Sequence, residues 1–587
     1  MLKNLLMNLL RAPAQALRAR REQRVLPALE SAVSAFNEKK YAEAVTACAE
    51  AIAQEPRSAQ ANHLCGRALI ELDRHAEAAE FLKTAVAANP ELAEAQADLA
   101  AVLFKTGDWQ GAEERCRRAV ALQPGEIRHR LLLVEILEAA DRREDALAEL
   151  SVAQEYAPER FDVLLKLFTA LDRLGMFKEA LRIAERAVLE NGENYETLSL
   201  LSFARYGMAD MPGAVEACRK TLIFRSDRPQ IHVTLGSALF ALGKVDEAMA
   251  SYRRALKLSP DYPDAQFHIG LINLMRGKYR EGWQGFEQRF RLDKNKDMRR
   301  CVPRWNGTSL RGRTLHVLRE QGLGDEIMYS SCFPQIISDA RHCHIECEPR
   351  LERLFARSFP QATFYPVGDD RVKQQEVSAM NVDVRSYTAS LPHYLRNSVR
   401  DFPDHQGYLK ADPERVAYWR QQLAALGDGL KIGISWRGGT VFTHRERRTL
   451  SLDALHPVIT VPGVRWVNLQ YGARATEIAD FERAHGVPIV DWPAAIDGDY
   501  DETAALVSAL DLVISVCTSV VHLTGALGRP VWVMAAYIPE WRYGLSGETM
   551  PWYPTAHLFR QAELGAWDSV INNVHQALIQ RISTTNK

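Results

Sequence analysis

The sequence predicts an α + α/β chain, with an all-helical repeat array in its first half and two α/β halves on parallel sheets after it. Three observations lead there. A small-residue and proline pattern recurs every 34 residues from about residue 27. A strand, cap and helix unit spans Asp511 to Pro530. Between them the chain changes character, since every tryptophan except Trp109 among the 11 lies at or after Trp283.

Composition sets the frame. At 587 residues the chain is too long for a single core. Its 73 basic and 74 acidic residues leave no bulk charge that would favour nucleic acid, so an anionic ligand needs a local site. The nine cysteines are scattered without Cys-x-x-Cys pairs, which favours a reducing, cytoplasmic setting over a disulfide framework or zinc ribbon. No uninterrupted apolar stretch approaches the length of a membrane span.

The pattern over residues 1–26 predicts a basic amphipathic helix. Through Arg21 it carries no acid, and its apolar segment is broken by Asn8 and Arg11, unlike a secretory signal. Two roles fit it: a cap packed on the first repeat, or peripheral contact with the anionic inner face of a membrane.

Repeats occupy 27–295. Pro56, Pro90, Pro124, Pro158 and Pro260 keep the period, with Gly192 and Ser226 in the missing steps. Ala44, Ala78, Ala112, Ala146, Ala180, Ala214 and Ala248 keep it too, and Gly107, Gly175, Gly243 and Gly277 mark a turn in the same frame. This is the tetratricopeptide period. Small residues let paired helices approach, glycine turns between them, and proline ends the second helix. Seven units are legible; an eighth fades where Gly282 replaces the alanine. A groove of this kind suits a protein or peptide partner, or the repeats serve to position the neighbouring domain.

The first α/β half spans 296–410. Thr314–Leu318 reads as a strand, and Gln321-Gly322-Leu323-Gly324-Asp325-Glu326 leads into a helix. The two glycines permit close backbone approach to a ligand. Asp325 is either a helix cap or a general base at the floor of a cleft. In Arg341–Cys347 strand alternation puts His342 and His344 on one face and Cys343 and Cys347 on the other, which disfavours a metal site. Asn381–Val384 reads as a further strand.

The second half spans 411–587. Lys431–Trp436 is a strand, so Ser435 and Arg437 fall at its carboxyl end beside the flexible Gly438-Gly439 turn. Arg445, Arg447 and Arg448 follow, suited to a nucleotide diphosphate or to solvent. Asp497, Asp499 and Asp501 invite magnesium, but they begin a helix, and capping accounts for them, so no metal is expected. Leu512–Val516 is a buried strand and Thr518 and Ser519 cap the next helix, placing Cys517, Thr518 and Ser519 where a phosphate is favoured.

Together, Gln321–Ile327, Asp511–Pro530, Pro551-Trp552-Tyr553-Pro554 and Leu558-Phe559-Arg560-Gln561 resemble the ADP-heptose:lipopolysaccharide heptosyltransferase family, in particular its tetratricopeptide-bearing bacterial members. The resemblance covers roughly 303–565. It implies a GT-B pair of Rossmann-like domains, the first facing the acceptor through Gln321, Gly322 and Gly324, the second holding a nucleotide-sugar. It further implies an inverting, metal-independent glycosyltransferase with no cofactor, of hexosyl or heptosyl class. Asp325 matches the family's base. Thr518, Ser519 and His522 match its diphosphate turn, and Ser435, Arg437 and Arg447 are the neighbouring donor-side candidates. One departure stands out: Cys517 occupies the place of a family aspartate, and a thiol is a poor partner for sugar hydroxyls. It favours the alternative of a catalytically inactive scaffold acting as a protein-interaction module. The layout is also similar to that of the protein O-GlcNAc transferases, which makes a polypeptide acceptor an expectation beside a surface glycan.

Overall fold

The computed structural model describes residues 25–292, 302–367, 381–439, 445–472 and 474–585. The basic segment 1–24 lies outside the described residues, as does most of the charged connector after the repeats. The chain divides into two compact units, Met1–Ser226 and Asp227–Lys587, so the division falls inside the repeat array.

The first unit is helical throughout its described residues. Helices follow one another in packed pairs, such as Ala59–Glu71 with His75–Ala88 and Ala93–Thr106 with Trp109–Leu122. The periodic alanines are the contact surface: Ala44, Ala78, Ala112, Ala180 and Ala214 are fully buried. Gly66 is closer still, since a Cβ there would lie 2.6 Å from Leu82 Cγ.

Two repeat features escaped the sequence. Each turn is closed by a left-handed residue, and in the first unit these are Lys39, Asp73, Gly107, Asp141, Gly175 and Ala209. The glycines signal that conformation; the other four adopt it because the helix pair on either side requires it. In addition, a side chain six residues beyond the repeat proline caps that proline's carbonyl, as Asn62 Nδ2 does to Pro56 (3.1 Å) and Gln96 Nε2 to Pro90 (3.0 Å). Arg130 Nε does the same to Pro124 (3.3 Å).

The second unit opens with two more helix pairs, Pro229–Ala241 with Val245–Leu258 and then α1 (Pro263–Met275) with α2 (Tyr279–Phe286). The eighth repeat is therefore a formed pair with a short second helix. Its alanines are replaced because contact is tighter: Gly270 of α1 crosses Gly285 of α2, and a Cβ on Gly270 would lie 2.8 Å from the Gly285 backbone.

Two parallel sheets follow. The first is ordered β3-β2-β1-β4, from β1 (Thr314–Leu318), β2 (His342–Cys347), β3 (Thr363–Pro366) and β4 (Val384–Tyr387). The expected strand at 381–384 thus starts three residues later. The second sheet contains β5 (Leu430–Ser435), β6 (Val464–Asn468), β7 (Ile489–Val490), β8 (Leu512–Val516), β9 (Val531–Ala535) and β10 (Ala556–Arg560). Its order is β10-β9-β8-β5-β6-β7, all parallel. Counted within the sheet this is 3-2-1-4-5-6 reversed, the order of a doubly wound nucleotide-binding sheet. β1 and β8 are buried along their whole length, as strands covered on both faces must be.

Helix pair α1/α2 is built into this α/β body. Trp283 of α2 donates from Nε1 to the Arg396 carbonyl (2.7 Å) and packs edge-on against Trp541 and Trp552. Buried Arg289 pairs with Glu287 (2.6 Å) and Glu320 (2.5 Å).

Candidate active site

In a doubly wound sheet a ligand settles outside the carboxyl ends of the strands, where strand order reverses. Here that point lies between β1 and β4 in the first sheet and between β5 and β8 in the second. Chain leaving β1 and chain leaving β8 line one cavity of about 630 Å³, a size that suits a small-molecule ligand.

From the first sheet come Gln321, Gly322, Leu323, Gly324 and Asp325, at the start of α3 (Leu323–Tyr329). Gln321 is left-handed, at φ +68°, which turns the chain sharply from strand to helix. From the second sheet come Cys517, Thr518 and Ser519, at the start of α4 (Ser519–Ala526). Thr518 caps α4 by accepting from Val520 N–H (3.3 Å), and Ser519 Oγ accepts from the Tyr500 hydroxyl (2.8 Å). The two helices pack start to start. Gly324 makes this possible, since a Cβ there would lie 3.0 Å from His522 and 3.2 Å from Ser519 Cα.

Asp325 caps its own helix by accepting from Gly322 N–H at Oδ2 (3.3 Å), and Oδ1 accepts from Arg542. Both roles expected for this residue, cap and cavity-floor carboxylate, therefore coexist. Arg448 enters from the chain after β5 and pairs with Glu540. Gly439, left-handed at φ +83°, lets the Arg448 guanidinium pass against the backbone where a side chain would block it. Burial lowers the Arg448 guanidinium but leaves it a cation. Burial is the largest influence on Arg542 and pulls it down, but Asp325 together with Tyr329, Tyr543 and Tyr553 holds it above its ordinary value.

Cys517 is buried, and burial pushes its thiol up to about 11 against the pull of Arg448. It is a neutral thiol, not a nucleophile. His522 lines the cavity but is also enclosed: Nδ1 lies 3.0 Å from the Tyr553 hydroxyl and Nε2 3.5 Å from that of Tyr543. Burial, reinforced by Arg542, drives its pKa well below the ordinary imidazole range. It is a neutral spacer under α4 and brings no positive charge to a phosphate.

Three donor-side candidates are placed elsewhere. Ser435 is fully buried and donates to Gln470 Oε1 (3.2 Å). Arg437 turns away to Glu477 (2.8 Å). Arg447 does not line the cavity, whereas its neighbour Arg448 does. For the first two the reason is shared: Gln470 Oε1 accepts from Ser435 Oγ and from the backbone N–H groups of Trp436 and Arg437, which ties this stretch to β6. The acids at 497–501 are engaged as expected for capping and pairing: Asp499 caps its helix, Asp501 pairs with Arg357 (2.6 Å) and Asp497 with Arg474 (2.8 Å).

Comparison with known proteins fits the whole chain to one relative. Protein FlbA of Caulobacter vibrioides is 30% identical over 567 residues, covering 91% of this chain and 93% of that protein. The chain belongs to the FlbA family. Within this FlbA-family chain, tetratricopeptide repeat models match residues 35–103, 73–136 and 103–171, and a TPR repeat model matches 236–277. Protein O-mannosyl-transferase TMTC1 of Homo sapiens is 27% identical over 206 residues, 34% of this chain but 23% of TMTC1. Among solved structures, YrrB, a TPR protein with an unusual peptide-binding site, aligns at 18% identity over 32% of this chain and 98% of its own, with TM-score 0.29. MamA from Desulfovibrio magneticus RS-1 aligns at 15% identity over 29% of this chain and 95% of its own, with TM-score 0.27.

The site also holds Glu540, Arg542 and Tyr543 after β9, from a segment whose sequence fits a cleft wall or core packing, together with Tyr471 and Tyr500, which the sequence did not single out. Their signal was positional. Pro539–Tyr543 lies just beyond the carboxyl end of β9, where ligands of such sheets bind, but its aromatic content reads first as core packing.

Proposed function

We propose that this chain is an inverting, metal-independent glycosyltransferase of GT-B architecture. It moves a sugar from a nucleotide-diphosphate donor to a hydroxyl of a protein or surface glycan, and its repeats recruit the acceptor or a partner protein. One observation carries the reading: a carboxylate, Asp325, and a cationic pocket, the α4 N-terminus with Arg448 and Arg542, share one cavity where two parallel sheets reverse strand order. The TMTC1 likeness, to a protein named as an O-mannosyl-transferase, and the repeats support it.

In the proposed reaction Asp325 accepts the acceptor's hydroxyl proton as the acceptor oxygen bonds to the anomeric carbon. The anomeric carbon–phosphate oxygen bond breaks, its electron pair staying on the nucleoside diphosphate. Arg448, Arg542 and the positive end of α4 stabilise that charge. A second reading, a scaffold that binds a nucleotide-sugar without turnover, is favoured by the neutral Cys517 thiol in the cavity wall.

The test is a thermal-shift screen of the full chain against ADP-, GDP-, UDP-, CMP- and dTDP-linked sugars, followed by turnover with the one that binds. A ligand specific to the folded state raises the melting temperature. A selective shift, lost when Ser519 and Arg448 are replaced, and turnover that disappears in Asp325→Asn support the transferase. Binding without turnover over a broad acceptor panel moves the conclusion to the scaffold, and no shift with any of them rejects both.

A further inference from the structure

Asp325 and Arg542 reach each other from different sheets, the first after β1 and the second after β9. With Gly322 N–H on one oxygen and the guanidinium on the other, both carboxylate oxygens are engaged. The Arg542 guanidinium on Oδ1 and the Gly322 N–H on Oδ2 stand where an acceptor hydroxyl would have to approach. The contact therefore blocks the chemistry that Asp325 is placed to do. Arg542, however, does not spend all of its donors there: its Nε is buried with no hydrogen-bond partner.

The backbone under Arg542 is fixed. Arg560 donates to the carbonyls of Tyr543, Gly544 (3.1 Å) and Gly547 (2.6 Å), and Leu545 N–H donates to the Met275 carbonyl at the end of α1 (3.3 Å). The loop is held while the long side chain spans the cavity wall. A second cavity of about 480 Å³, lined by Met275, Gly277, Tyr279 and Ser546, lies on the other side of Arg542 and Tyr543. Arg542 thus borders two cavities, and the N-terminus of α4 opens into the first of them.

Resting on the transferase reading, we infer that Arg542 has two positions: without donor it covers Asp325, and with donor bound it moves to the diphosphate and uncovers the base. One movement supplies two needs of the displacement. The proton then passes from the acceptor hydroxyl to the freed carboxylate, and the electron pair of the breaking bond settles on a phosphate oxygen that Arg542 now contacts. Asp325 stays covered until a leaving group is in place.

The inference makes Asp325 and the diphosphate competitors for one guanidinium, which titration calorimetry of the full chain reads without any acceptor. The probes are ADP, GDP, UDP, CDP and dTDP. Asp325→Asn should tighten binding of the recognised diphosphate about tenfold, and Arg542→Met should weaken it by a similar factor. In the Arg542→Met background, Asp325→Asn should change affinity less than about twofold. Unchanged or weaker binding in Asp325→Asn overturns the inference. So does equal tightening in both backgrounds, which shows plain charge repulsion. If no diphosphate binds the unaltered chain, the transferase reading itself falls and this inference with it. Melting and circular dichroism check folding, and if Arg542→Met does not fold, Arg542→Lys takes its place in the cycle, with reduced coupling expected and full coupling refuting.

Discussion

Replacing Gly270 with alanine tests how the last repeat supports the site. A Cβ on Gly270 would lie 2.8 Å from the Cα, C and following N of Gly285–Phe286, where ordinary contact begins at 3.4 Å. The obstacle is backbone, so no rotamer change relieves it, and α1 must part from α2 by about 0.6 Å at the crossing. Overpacking of this kind costs about 1–3 kcal/mol. Alanine in a helix recovers about 1 kcal/mol over glycine, which leaves a net loss of about 1 kcal/mol at the middle of that range and about 2 kcal/mol at its upper end. Gly66→Ala in the first unit is the internal control. Its Cβ would meet the Leu82 side chain at 2.6 Å, and a leucine can turn aside, so the two terms there come close to cancelling. The consequence reaches the cavity, because Met275 at the end of α1 holds the Leu545 N–H of the loop that carries Arg542. Urea unfolding of both variants, with nucleoside diphosphate titration of Gly270→Ala, is the assay. The expected result is a lower midpoint and weaker binding for Gly270→Ala and little change for Gly66→Ala. A Gly270→Ala protein as stable as the parent would refute the reasoning.

Three further outcomes can be checked with purified protein. His268 of α1 stacks on Tyr252 with ring centroids 5.1 Å apart, and burial lowers its pKa from 6.5 to about 4. The unfolded chain therefore takes up the proton first: the stabilisation is present above pH 6.5 and is lost as pH falls toward 4, by at most about 3 kcal/mol. His268→Phe should flatten melting temperature over that window, and an unchanged slope would exclude His268 as its source. Arg560→Leu should leave carbonyls of the 543–547 loop without partners, at about 1–3 kcal/mol of stability, and should weaken diphosphate binding although Arg560 does not line the cavity. Unaltered affinity would show that the loop holds itself. At pH 8 the Cys517 thiol, raised to about 11, should alkylate about 100-fold more slowly in the folded protein than in urea, and fast labelling by peptide mass mapping would contradict its burial.

What the sequence disclosed, and what it hid, follows from the range of the interactions involved. Repeat helices are specified locally, so small residues at fixed spacing announced them, and β1 and β8 were found at their observed bounds because each is a short, mostly apolar run that ends at a turn signal, as parallel strands buried on both faces tend to be. Left-handed turns at Asp73, Asp141 and Ala209 were invisible, since nothing in those side chains requires that conformation. At the site, Asp325, Cys517, Thr518 and Ser519 were legible because each sits at a strand-to-helix junction, a feature of local chain. Ser435 and Arg437 lie off the cavity because partners distant in sequence, Gln470 and Glu477, engage them, and Arg447 leaves the lining to its neighbour Arg448. The pairing of Arg542 was hidden for the same reason in reverse: its partner Asp325 lies 217 residues away in sequence.

The fading of the repeat pattern at its end has a physical explanation that bears on function. A repeat inside an array packs only on its neighbours, so alanine suffices at its contact positions. The eighth repeat of this chain packs in addition on the α/β body: Trp283 lies against Trp541 and Trp552, and the Met275 carbonyl receives Leu545 N–H. To bring that tryptophan and that carbonyl to the sheet, α1 and α2 must lie closer together than alanine permits, and Gly270, Gly282 and Gly285 supply the space. The same residues that obscure the period therefore fix the backbone from which Arg542 reaches Asp325. On this reasoning the eighth repeat belongs to the α/β body, and a partner held by the repeats would be engaged by the earlier ones, leaving the last pair to keep the arginine loop in place.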